Sequence, residues 1–381
     1  MKKFIKISYW TVIHLFAVVG FVFVGVFFAI RLKLTNVKGT VDGMSSSFQQ
    51  EADQTKVLGV AMSGIDSIDE ITKLSETRSE KIKVICELNE LSYVAPGNVK
   101  KIIEQRKAGV GGDVLTEKMV FAIKTKMGDT STLDLNINKC VSDFEKKPIS
   151  ETEIDNRLQN TNSADIFNWI NYKEWSDAKV AITKDELVLK KAAGMVDMDP
   201  RLIASNLMVE QLRLYFSVRE LYKQYFEPLK VLSNSNKISL GVMAVKEETA
   251  KDVENHLKDK TSPYYLGEKY EHLLDYQSND VAKIRYERLM DNTHYYSYLY
   301  AAIYLKQMMK QWSDSGFSID DRPEIICTLY NVGFPQSKPN ASPKIGGSTV
   351  KIGTETYSFG RLAFEFFYSG ELSVQFPYLI K

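Results

Sequence analysis

The sequence predicts a mainly α protein tethered to a membrane by an N-terminal apolar helix. Three observations carry that reading. Residues 7–30 are almost wholly apolar and long enough to cross a bilayer. Apolar residues recur at helical steps of three and four in several later segments. One of those segments opens with Asp199-Pro200 and meets no helix breaker until Pro228, and it carries an acid, Glu210, on its apolar stripe.

The chain has 381 residues, enough for two or three domains and at least one sizeable core. A formal net charge of +1 gives no global basic field, so nucleic acid is not an expected partner. The three cysteines, Cys86, Cys140 and Cys327, lie far apart and lack zinc spacing. One bridge at most is open to them, and three separate thiols are the expectation. His256, His272 and His294 show no HExxH spacing, so neither a metal site nor a cofactor is expected.

Lys2, Lys3 and Lys6 precede the apolar run, and Tyr9 and Trp10 stand where an interfacial aromatic anchor would. The run is longer than a usual signal-peptide core, and no small-x-small cleavage site closes it before Arg31. Residues 1–31 therefore read as an uncleaved, single-pass anchor. Arg31, Lys33 and Lys38 nearly balance the first lysines, so charge alone leaves the orientation open. Residues 32–62 are polar and read as a stalk. Ile65, Ile68, Ile71 and Leu74, then Ile82, Ile85 and Leu88, predict amphipathic helices between 63 and 93. Pro96-Gly97 ends them. Gly109-Val-Gly-Gly-Asp113 is a glycine-rich turn without the Lys-Ser/Thr ending of a phosphate loop. Residues 130–164 are polar and read as a loop or linker. This places an accessory helical region over 63–165 and a second, helical domain over 166–381.

Within that domain, Trp169, Trp175 and residues 187–192 suggest packed helices closing at Gly194. Asp199 and Pro200 are a good N-cap and first helical residue. Ile203, Leu207, Glu210, Leu214 and Ser217 then share one face. A turn at 233–236 leads to Ser239-Leu-Gly241-Val-Met243, and a helix begins near Lys246. Tyr298, Ala302, Leu305 and Met309 mark a helix over 295–312. Residues 324–330 are helical up to Asn331-Val-Gly333. Residues 335–348 read as a surface loop, and 361–368 as a helix.

A carboxylate on an apolar stripe is costly unless it is paired, or protonated and used. The plain reading pairs Glu210 with Arg213 or with a base from another helix. The chemical reading makes it a general acid, because an apolar site lets a carboxyl hold its proton near neutral pH. No second acid stands in an equally embedded position, and a glycoside hydrolase usually needs one.

Three stretches stand in order: a helix carrying Glu210, then Ser239-Leu-Gly241-Val-Met243 leading to Thr249-Ala250, then Leu329-Tyr330-Asn331-Val-Gly333. Together they resemble the soluble lytic transglycosylase branch of the lysozyme-like superfamily. Its hallmarks are a helical Glu followed by Ser or Gln, a Ser-x-Gly-Leu-Met-Gln turn leading to Thr-Ala, and an Ala-Tyr-Asn-Ala-Gly turn. The resemblance covers about 198–334. It departs from the family at Ala244, where the family has Gln, and at Leu329 and Val332, where it has Ala. A tyrosine-rich stretch, 264–304, fills a generous spacing between the second and third motifs.

The resemblance implies a lysozyme-like domain that cleaves peptidoglycan glycan strands between N-acetylmuramic acid and N-acetylglucosamine. Glu210 would act first as acid and then as base. Ser239 and Tyr330 would orient the substrate, Gly241 would let the glycan approach the backbone, and Met243 and Asn331 would shape the turns beside the cleft. Such a substrate puts the domain on the extracytoplasmic, periplasmic side of the inner membrane. The alternatives are a hydrolytic muramidase, and a non-catalytic peptidoglycan-binding scaffold that works with envelope protein partners.

Overall fold

The computed structural model describes His14, Ala17, Gly20 and Phe21, all helical, and then residues 78–159, 161, 164–215 and 239–379. The expected anchor, apart from those four positions, and the stalk lie outside the described residues. So do residues 63–77 of the predicted amphipathic segment. Among the described residues no helix is long and apolar enough to cross a membrane.

Among the described residues between 78 and 379 the chain forms thirteen α-helices and two small antiparallel hairpins. The first five helices are α1 (Arg78–Val94), α2 (Pro96–Lys107), α3 (Gly112–Met127), α4 (Ser131–Asp143) and α5 (Glu151–Leu158). Helix α1 is the hub of this unit and packs against the other four. The glycine-rich turn forms as expected, with Gly109 and Gly111 at positive φ just before α3.

Two expectations fail in this unit. Residues 130–164 are not a linker, since they contain α4 and α5. Their polar residues hid the few that matter: Leu133 and Ile137 bury one side of α4, and Ile154 and Leu158 one side of α5. Ser150 and Glu153 close a capping box that starts α5. The thiols are not all separate either. Cys86 on α1 and Cys140 on α4 form a disulfide across 54 residues, and Cys327 alone is free and buried. Sequence distance carried no information about that pairing, because helix packing brings α1 and α4 side by side.

A 3-10 turn at Asn168–Asn171 leads into α6 (Lys173–Lys184), α7 (Glu186–Gly194) and α8 (Pro200–Tyr215). After the undescribed stretch come β1 (Ser239–Leu240) and β2 (Val245–Lys246), which pair Ser239 with Lys246 and Leu240 with Val245. Then follow α9 (Glu247–Lys258), α10 (Val281–Leu289), α11 (Tyr295–Asp314) and α12 (Pro323–Val332). A second hairpin, β3 (Thr349–Ile352) with β4 (Glu355–Ser358), precedes α13 (Phe359–Tyr368). This hairpin was not expected, because four-residue strands beside a Pro- and Ser-rich loop leave little periodicity to read.

Helix α8 is the axis of this half. It touches α6, α7, α11, α12, α13 and β3. The expectation of a single apolar stripe is corrected accordingly: every residue from Arg201 to Glu210 is buried. A helix sheathed on all sides must bury its polar groups too, and here they are satisfied locally. Asp199 caps the helix by accepting a hydrogen bond from the Arg201 amide at 2.8 Å. Burial nevertheless pushes its carboxyl up to about 6. Arg201, with no exposed surface, donates to the carbonyls of Phe367 (2.8 Å), Phe376 (2.9 Å) and Phe366 (3.2 Å), and to the Tyr378 hydroxyl (3.1 Å). Two of those carbonyls belong to the last turn of α13, where the helix dipole favours a cation.

The two helical units share one contiguous apolar core. Lys101 of α2 bridges Asp165 and Glu371, each at 2.7 Å, and Lys179 meets Glu371 at 2.8 Å. Lys126 of α3 pairs with Glu355 and donates to the Tyr357 hydroxyl at 3.1 Å. Phe121 meets Phe364 edge to face, and Trp169, Trp175 and Phe366 pack on one another as a triad.

Opening the Cys86–Cys140 bridge frees a closed loop in the unfolded chain. Cys140→Ser should lower the unfolding free energy by about 3–4 kcal/mol. Urea unfolding with and without reductant checks this: reductant should shift the parent protein and leave Cys140→Ser unmoved.

Candidate active site

Glu210 sits in the third turn of α8 and is 3% exposed. Arg213, one turn on, grips its Oε2 through Nε at 3.0 Å and through a second guanidinium nitrogen. The plain reading of this acid is therefore present in the fold: it is an ion-paired carboxylate.

The other motifs come to the same place. Helix α12 begins at Pro323 and stops at Gly333, whose φ of 97° ends the helix. That extent brings Tyr330 against α8. Burial, and then the neighbouring Glu210 charge, push the Tyr330 phenol well above its ordinary range, with Arg213 opposing. The buried Tyr330 hydroxyl donates to the Met243 carbonyl at 2.6 Å. Helices α8 and α12 pack directly against each other.

The turn at 241–244 joins β1 to β2, and the Ala244 amide closes it on the Gly241 carbonyl at 3.1 Å. Three helices hold it. Gln211 of α8 donates to the Val242 carbonyl at 2.9 Å, Tyr330 of α12 holds the Met243 carbonyl, and Ser297 of α11 accepts from the Met243 amide at 3.2 Å. Met243 itself is fully buried. Ala244, in the position where the resembled family has Gln, takes a positive φ of 52°.

Each expected site residue can now be placed. Tyr330 and Met243 are joined by a hydrogen bond, and the Glu210 charge acts on Tyr330. Gly241 is in the same turn, but its open side faces the protein: a Cβ there would lie 2.2 Å from the Leu289 carbonyl and 2.7 Å from Ser297 Oγ. The close approach that requires glycine is made by α10 and α11. Asn331 serves a neighbouring loop, accepting from the Ser348 amide at 2.7 Å and its hydroxyl at 3.0 Å. Ser239 lies on β1 opposite Lys246, and its side chain lies outside the described residues.

Sequence reasoning missed Gln211 and Ser297. Gln211 had a signal, since it directly follows the helical acid where the resembled family places Ser or Gln. Ser297 had none, as its part depends on α11 crossing the turn. The expectation of a single embedded acid is also corrected. Glu324 and Glu365 are as buried as Glu210, and burial raises both carboxyls. They sit on helices buried nearly all round, where no stripe contrast marks them. Glu324 pairs with Arg322 at 2.9 Å, and Glu365 accepts from Trp169 Nε1 at 3.1 Å. Glu324 lies six residues from Tyr330, about 9 Å along α12. Among the described residues no group of His, Cys, Asp and Glu is placed to hold a metal ion.

Comparison of the chain with protein-family models, with curated proteins and with solved structures finds no match.

Gly241→Ala should destabilise the protein by about 3 kcal/mol, combining a strained φ with a carbonyl in the way. Gly109→Ala has a similar φ of 69° and open space around it, so it should cost only about 1 kcal/mol. Thermal unfolding of the two variants separates close approach from backbone strain.

Proposed function

We propose that this chain is a membrane-anchored, lysozyme-like enzyme that cleaves peptidoglycan glycan strands by the lytic transglycosylase reaction. The observation that carries the reading is the convergence of the second and third motifs on the end of α8 that carries Glu210. The Met243 turn and Tyr330 are tied together by one hydrogen bond, and Gln211, beside the acid, holds the same turn. The Cys86–Cys140 disulfide supports a folded part outside the cytoplasm, because such bridges persist in oxidising compartments. With residues 1–31 as the anchor, this corresponds to a single-pass protein of the inner membrane facing the periplasm.

In this reading Glu210 gives its proton to the glycosidic oxygen as the bond to the muramic acid C1 breaks. The substrate's N-acetyl group stabilises the cation. The Glu210 carboxylate then takes the proton of the sugar's 6-hydroxyl as that oxygen bonds to C1, leaving a 1,6-anhydro end. One carboxyl serves both steps, so no second acid is needed beside it. Arg213 sets the condition: its grip favours the charged carboxylate, so the proton is taken up when substrate displaces the guanidinium from Oε2.

A second reading has one specific observation behind it. Glu210 is buried and ion-paired, and Ala244 replaces a polar side chain that lines the cleft in the resembled family. A scaffold that binds peptidoglycan without cutting it fits that arrangement.

Digestion of purified sacculi by the full chain in detergent tests the proposal. Parent protein should release anhydro-ended fragments, and Glu210→Gln should act at least about 100-fold more slowly. Reducing ends would make it a muramidase. Undiminished cutting by Glu210→Gln would mean another acid does the chemistry. Binding of sacculi with no cutting by either protein would establish the scaffold.

A further inference from the structure

In the tyrosine-rich segment between the second and third motifs, Tyr276 and Tyr296 contact neither the turn nor the acid, and with Arg288 they form an ordered column. The Arg288 guanidinium lies between two rings, 4.5 Å from the centroid of Tyr276 and 4.6 Å from that of Tyr296. It is held in place by donating to the carbonyls of Leu274 at 2.9 Å and Asp275 at 2.8 Å. The inner end of the column is anchored: the Tyr276 hydroxyl meets that of Tyr300 at 3.0 Å, and both bind Glu254. Glu254 in turn receives a two-pronged grip from the buried Arg285, at 2.8 and 2.6 Å. The outer end is half-exposed, and Tyr295 packs edge-on against Tyr296.

Two further facts point to a ligand. The column adjoins the candidate active site. Leu289, next to Arg288, and Ser297, next to Tyr296, are the two residues that press on Gly241. The column also presents charge without a matching acid. Among the described residues no carboxylate pairs with Arg288, and the nearby Asp275 side chain is engaged by Lys258 at 2.6 Å and His272 at 2.7 Å. Lys191, over the Tyr295 ring at 4.9 Å, adds a second cation beside the tyrosine that packs on Tyr296.

We propose that Tyr296 and Arg288 form a preorganised ledge that binds the glycan strand beside the 241–244 turn. Rigid aromatic faces suit the apolar faces of pyranose rings, and little side-chain entropy remains to be lost in a column already stacked and anchored. The two cations suit a carboxylate-bearing strand, with its lactyl groups and peptide stems, over a neutral one. This ledge rests on the peptidoglycan reading of the site, yet it is separable from cleavage.

The test is co-sedimentation of the full chain in detergent with purified sacculi, all variants carrying Glu210→Gln so that strands stay intact. Tyr296→Ala and Arg288→Met should each weaken binding about tenfold. Tyr296→Trp, which keeps a stacking ring, should bind like the parent. Tyr286→Ala, an exposed tyrosine on α10 outside the column, should also bind like the parent. N-acetylglucosamine pentamer, which is uncharged, should compete weakly, and Arg288→Met should narrow the gap between it and sacculi. The ledge is overturned if the parent does not bind sacculi, or if Tyr296→Ala and Arg288→Met melt and bind as the parent does. A column variant that misfolds is replaced by Tyr296→Leu, for which retained binding would likewise overturn the ledge. Weakened binding by the column variants, in a protein whose Glu210 form cuts nothing, would keep the ledge and discard the cleavage reading.

Discussion

The fold depends on enclosing one helix, α8, on every side. A helix so enclosed cannot leave its polar side chains in water, so its two charged ends need specific partners. At the first turn Arg201 is satisfied by main-chain carbonyls from the end of α13 and from the C-terminal segment. That arrangement fixes where the C-terminal segment lies. Ten residues along, Glu210 is satisfied by Arg213 of its own helix. The difference matters. Arg201 is tied to distant chain, whereas the Arg213 partner of Glu210 stands one turn along the same helix.

The turn at 241–244 shows how the same packing preorganises a site. A short hairpin loop with two residues at positive φ would be mobile alone. Here Gln211, Ser297 and Tyr330 pin three of its main-chain groups from three helices. Gly241 lets α10 and α11 close against it. The Glu210–Tyr330 neighbourhood is consequently set by packed helices rather than by free loops.

The N-terminal helical unit is part of this construction. Its disulfide staples α1 to α4, and its α2 and α3 reach the C-terminal half through Lys101 and Lys126. The hairpin β3–β4 links the two halves of the molecule, because β4 receives Lys126 while β3 packs on α8.

Several elements were legible in the sequence because their signals are local. Asp199-Pro200 starts α8, Asn331-Val-Gly333 stops α12, and the helices near Lys246 and Tyr295 begin where capping and periodicity place them. The order of the three motifs, and Glu210 as the odd residue among them, could also be read from the sequence. The tertiary structure decided what no local signal carries. It joined Cys86 to Cys140 and made helices of 131–143 and 151–158. It buried Glu324 and Glu365, and it gave Gly241 a protein neighbour. These outcomes depend on which surfaces meet. Local preferences mark where a helix begins and ends, but burial and pairing are set by residues far away in the chain.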